Sequence, residues 1–205
     1  MTILVAIKNG NVPRSEAVSR LTTSLNFLQN ANRIHGDWSH WINGNTGNVI
    51  PFGTMDNGGD LVETAFLVQG LICVREYFKD STDPSEHALS QKADSLWKGV
   101  EWNWYTQGQN VLYWHWSPNY DFQMNLKIQG YDETIITYIL AAASPNYSIE
   151  KTVYQQGWAR NGSIKTSASQ YGIPLVVNHN GANGIVGPMF FSHYSFLGLD
   201  PRGLT

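Results

Sequence analysis

At 205 residues, 42% of them apolar, the chain is long enough to bury one substantial hydrophobic core. Its net charge is −3, only 14% of residues are charged and no basic tract appears, which excludes a nucleic-acid-binding surface. The single cysteine, Cys73, excludes an intramolecular disulfide and any multi-cysteine metal site.

Residues 1–10, MTILVAIKNG, hold a short apolar run that reads as the end of a helix or a strand. They lack the basic start, long apolar stretch and cleavage site of a signal peptide, and no segment reaches membrane-spanning length. Val18, Leu21, Leu25 and Leu28 recur at helical spacing, which predicts an amphipathic helix over 14–32. Residues 33–57 have no such period and carry Asn-Gly, Thr-Gly and a proline, the marks of a loop or short hairpin. Residues 58–78 are apolar nearly all round, which predicts a helix buried on all sides. An ordinary amphipathic helix follows over 85–100, with Asp83 or Ser85 as its cap. The aromatic stretch after it is too interrupted for a long helix. Residues 131–143, YDETIITYILAAA, form the second all-apolar helix, stopped by Ser144-Pro145. A short helix is expected within 148–159, then loop over 160–190 with a short strand at 173–177. The class is all-α, with buried helices alternating with amphipathic ones in two layers.

Both apolar helices begin with acids. Asp56, Asp60 and Glu63 precede the first, and Asp132 and Glu133 the second. On a wheel Asp60 lies about 40° from Asp56, and Glu63 about 20° to the other side. Part of this is explained by capping: Asp56 or Asp60 as N-cap, with Glu63 closing a capping box with Asp60. One cap accounts for one acid, however, and the pattern recurs. If both helix starts meet at one rim, their acids face each other across a cleft, which is the apparatus of glycoside hydrolysis. An inverting enzyme separates acid and base by roughly 6.5–9.5 Å. The pair is then split between helices, with Glu133 on one side and one of Asp56, Asp60 or Glu63 on the other.

In VLYWHWSPNYDFQMN, residues 111–125, Tyr113 and Trp114 suit a core as well as a cleft, whereas Trp116 and Tyr120 suit a sugar platform. Asp121 is a further cleft acid, and His115 reads as a hydrogen-bonding partner rather than a metal ligand. Glu101 is open between cleft and surface. Trp38, His40 and Trp41 in the first loop, and His193 and Tyr194 near the end, pose the same question of core or cleft. Arg202 is placed either to bind a substrate hydroxyl or to tether a loop to Asp200. The six histidines form no HExxH pattern, GANGIVG lacks the Lys-Ser/Thr of a phosphate loop, and Ser192 and Ser195 sit in no nucleophile elbow. No metal or cofactor is expected.

Five stretches together carry a resemblance: DNGGDLVETAFLVQGLICVREYF, LWKGVEWNWY, LYWHWSPNYDFQMNLKIQGYDETIITYILAAASP, YQQGWA and GPMFFSHYSFLGLDPRG. They resemble the bacterial glucoamylase-like family, which includes endo-β-1,2-glucanases. The resemblance implies an (α/α)6 toroid with a cleft at one rim, an inverting mechanism on a glucan or oligosaccharide, and export to the periplasm or medium. It places Asp56, Asp60, Glu63 and Glu133 around the scissile bond, and residues 113–120 and FSHYSF along the cleft. Members are roughly twice this length, so the chain resembles the N-terminal half of a toroid. Its open apolar flanks then invite self-association or a second chain that completes the ring. Two other readings stay open: a carbohydrate-binding or transport-associated protein without catalysis, and a structural helical module.

Overall fold

The computed structural model describes residues 1–175, 177 and 187–202. Most of GANGIVG therefore lies outside the described residues. The regular structure is mainly helical: α1 (Thr2–Lys8), α2 (Arg14–Asn30), α3 (Leu61–Phe78), α4 (Pro84–Lys98), α5 (Ile135–Ala143) and α6 (Phe190–His193). Three two-residue strand pairs accompany them: β1 (Trp41–Ile42) with β2 (Val49–Ile50), β3 (Gly59–Asp60) with β4 (His115–Trp116), and β5 (Ser169–Gln170) with β6 (Ile173–Pro174). The stretch predicted as a helix within 148–159 forms a π-helical turn over Val153–Trp158, and the described residues of the strand expected at 173–177 show β6 and a bridge from Val177 to Lys165. Among the described residues no helix is long and apolar enough to cross a membrane.

The helix α3 packs against both α4 and α5, and α4 also packs against α2. One continuous core runs through them, from Leu25 and Trp38 through Val62, Val68 and Leu96 to Tyr138 and Trp158. The expectation that α3 is buried on all sides needs correction. Leu61, Val62, Ala65, Val68, Leu71, Val74 and Phe78 are buried, but Glu63, Phe66, Leu67, Gly70 and Cys73 are only half-covered. These five recur at three- and four-residue steps, so they form one face that is apolar apart from Glu63.

The two apolar helices also begin later than periodicity predicts, for separate reasons. Gly59 pairs with β4 and Gly58 lies close beside it, where a Cβ would lie 2.2 Å from the Trp116 carbonyl oxygen. At Gly59 it would lie 2.1 Å from the Tyr105 hydroxyl. Only glycine allows this approach, so the helix waits until Leu61. At α5, the Asp132 carboxylate accepts hydrogen bonds from the Thr134 amide at 2.9 Å and the Thr134 hydroxyl. That Asx turn competes with the helix and keeps residues 132–134 outside it. The close contact at Gly58 leads to a test. Gly58→Ala must part β3 from β4, and the expected cost is about 1–3 kcal/mol, read as a fall in Tm.

Candidate active site

Asp60 is the N-cap of α3. Its Oδ1 accepts from the Val62 amide at 3.1 Å and the Glu63 amide at 3.0 Å. Its own amide donates to the Trp38 carbonyl at 2.9 Å, and so does not reach the Glu63 side chain. The expected capping box is therefore absent, and Glu63 is free of that duty. The antiparallel register of β3 and β4 sets His115 opposite Asp60. His40 Nδ1 stands 2.9 Å from Asp60 Oδ2, and His115 Nε2 stands 3.4 Å from the same oxygen and 3.3 Å from Asp56 Oδ2. Two carboxylates and two imidazoles thus meet behind the start of α3.

The charges follow from this arrangement. Burial opposes a positive His115, but the adjoining Asp56 and Asp60 outweigh it and hold the imidazole at about 9. Burial would raise Asp60, yet the two imidazoles more than offset it and leave the carboxyl below its usual range. The bond to Asp60 likewise raises His40. One ligand-type atom from each of His40, Asp56 and Asp60 lies within 4.8 Å of the others, a spacing that cation ligands also show. Here a protonated His115 already supplies the positive charge between the two carboxylates, and we read the cluster as hydrogen-bonded.

Glu63 and Glu133 differ from Asp60 in having no such set of partners. Burial, reinforced by Asp60, raises Glu63, with His40 opposing. It borders a pocket of ≈ 410 Å³ lined by Trp38, His40, Trp41, Ile42, Ile50 and Leu67. Glu133 is half-buried. Burial pushes its carboxyl up to about 7, Asp132 and Glu63 add to the push, and its own amide opposes it. Its Oε2 is buried without a hydrogen-bond partner, as are Asp56 Oδ1 and His115 Nδ1. Buried polar atoms left unpaired are rare, and each calls for a partner such as a water, an ion or a ligand.

A residue without any motif positions Glu133. Ser195 is fully buried, donates its hydroxyl to the Glu133 carbonyl and accepts the Ile136 amide at 3.1 Å. The segment around it is fixed to α3: Gln69 donates to the Tyr194 carbonyl at 3.3 Å and accepts the Gly198 amide, and Tyr194 meets Phe66 edge-on with centroids 5.5 Å apart. Sequence reasoning considered Ser195 only as a nucleophile, because a contact to a backbone carbonyl leaves no pattern.

The remaining candidates divide. Trp114 and Trp116 are half-buried and pack on the core, with Trp116 edge-on to Trp104 at 5.9 Å. Tyr120 is half-buried in a loop stitched to the acids: Ser117 donates to Asn57 at 2.7 Å and accepts the Tyr120 amide at 3.1 Å. Asp121 is exposed on that loop at φ 48°, and His193 is exposed at the end of α6. Arg202 is paired with Asp200, its Nε 2.9 Å from Oδ1, which is the tether among its two alternatives.

The chain is similar to several known proteins. Residues 125–205 match the Glycoamylase family model of glucoamylase proteins. The chain is 42% identical over 225 aligned positions to an exo β-1,2-glucooligosaccharide sophorohydrolase (non-reducing end) of Parabacteroides distasonis, covering 100% of this chain and 30% of the relative. It superposes on an endo-β-1,2-glucanase from Chitinophaga pinensis, in complex with sophorotriose and glucose, with a TM-score of 0.95 and 54% identity. That match covers 98% of this chain and 48% of the other. A β-1,2-glucanase from Parabacteroides distasonis matches with a TM-score of 0.88 and 41% identity over 97% of this chain and 31% of its own. The chain spans half the length of these relatives or less, and along its own length it resembles the glucoamylase-like family that includes β-1,2-glucan hydrolases.

Proposed function

We propose that residues 1–205 are a single partial domain, about half of a two-layered (α/α)6 toroid, from a glycoside hydrolase that cleaves a β-1,2-linked glucan or oligosaccharide. The observation that carries this reading is the pairing of two half-buried carboxyls, Glu63 and Glu133, at the starts of two packed helices. Neither is used up as a helix cap, and one is held near neutral pH. Glu133 is the general acid: a carboxyl that keeps its proton to about 7 can give it to the glycosidic oxygen. Glu63 is the base that activates water from the other side. Inversion rests on the family resemblance alone, as does export to the periplasm or medium. Asp56 offers its unpaired Oδ1 to a sugar hydroxyl, and Asp60 anchors His40, His115 and the first turn of α3. A place for Trp116 and Tyr120 along the cleft rests on the family resemblance alone. The half-covered apolar face of α3 is where further helices of the ring, or a second chain, would pack.

The test is product release from β-1,2-glucooligosaccharides, assayed with this chain alone and within a protein of its relatives' full length. Products are expected, with a rate that falls as pH rises through about 7, where Glu133 loses its proton. Sugar binding with no product at any pH would mark a carbohydrate-binding protein and overturn the catalytic reading.

A further inference from the structure

All eight tryptophans lie among the described residues, and seven are buried or half-buried. Trp41 is the exception at 52% exposed, and Phe52 close to it is 53% exposed. Two large rings left open beside one another forgo the burial that usually stabilises such side chains. Neither is loose. Trp41 is held in register opposite Ile50, and the Ser39 hydroxyl donates to its carbonyl at 2.7 Å. Phe52 stacks on the His40 imidazole with centroids 4.1 Å apart and meets Trp41 at 4.9 Å and 75°. His40 in turn is bonded to Asp60, the cap of the helix that carries Glu63. The aromatic corner is therefore tied through His40 and Asp60 to the helix of the candidate base.

The surroundings are mixed in the way a sugar requires. Trp41 and Ile42 form one wall of the ≈ 410 Å³ pocket, and His40 and Glu63 supply its polar groups. That volume lies within the usual range for small-ligand sites. A hexose ring presents C–H groups on its faces and hydroxyls at its edge, so an indole beside a carboxyl and an imidazole meets both. A protein-docking patch would be expected to lack the half-buried carboxyl, whose desolvation by an apolar partner would be costly.

We propose that Trp41 and Phe52 form a stacking subsite for one glucosyl residue of a β-linked oligosaccharide, next to Glu63. This deepens the proposed function and rests on it for the identity of the sugar. The test measures binding of defined β-1,2-glucooligosaccharides by calorimetry in the Glu133→Gln background, so that turnover does not interfere. Trp41→Ala is expected to weaken binding roughly tenfold, Trp41→Phe to restore most of it, and Phe52→Ala to act in the same direction. Circular dichroism and Tm should stay unchanged for Trp41→Ala, since the ring is mostly exposed. Binding within twofold of the parent in Trp41→Ala would overturn the subsite. Binding that depends on Trp41 in a protein that never hydrolyses the sugar would keep the subsite and remove the hydrolase reading. Absence of any sugar binding would remove both.

Discussion

Glu133→Gln is expected to lower hydrolysis of a β-1,2-glucooligosaccharide by two to four orders of magnitude while sugar binding survives. The amide has nearly the shape of the acid but no proton to give, and a positioned proton donor contributes about 10²–10⁴ in rate. Burial already keeps Glu133 protonated to about 7, so a neutral amide changes little in the resting charge of the site below that pH. The loss should therefore appear in kcat with little change in Tm. The fall in rate that Glu133 causes above about 7 should vanish with its carboxyl. Unchanged turnover by Glu133→Gln would remove the acid assignment.

Asp60→Ala is expected to act on stability first. Asp60 is fully buried, caps α3 through two amides and faces two imidazoles. Removing it deletes a cap and strips a buried cation of one of its two counter-charges. Breaking such a buried pair costs about 3–5 kcal/mol, and denaturant unfolding would measure it. The pH dependence follows from His115, whose folded pKa of about 9 lies above its ordinary value. The stabilisation from its charged form is complete below about 6.5 and is lost as pH rises through about 9. In Asp60→Ala that alkaline loss should shrink, since the remaining Asp56 holds the proton less firmly. A variant as stable as the parent, with the same alkaline slope, would show that the cluster does not bear on folding.

Several of these features were legible in the sequence, and those that were not share a cause. Asp60 as a cap is a local effect that follows from residue type, whereas the brake at Gly58-Gly59 depends on the distant Trp116 and Tyr105. That Glu63 and Glu133 each stand at the mouth of an apolar helix was legible, because both precede or open an apolar run. The later start of α5 was missed because Asp132 bonds Thr134 in preference to joining the helix, a competition that periodicity does not register. The capping box failed because the Asp60 amide found Trp38, twenty-two positions away, before it could meet Glu63. His115 was read as a hydrogen-bonding partner, but its two carboxylates emerge only from the pairing of β3 with β4. The face of α3 through Phe66, Leu67, Gly70 and Cys73 is as apolar as the rest of that helix, so composition gave no sign that it would stay half-covered.

The Ser195 hydroxyl holds the backbone at Glu133 from 62 positions downstream. As the chain leaves the ribosome, α3 and α5 are both available before that serine emerges, so the core can collapse ahead of its acid. A nascent chain arrested between the two would be compact yet chemically silent. Within these residues the backbone at Glu133 is then fixed later than the core, by a segment that contributes little to its bulk.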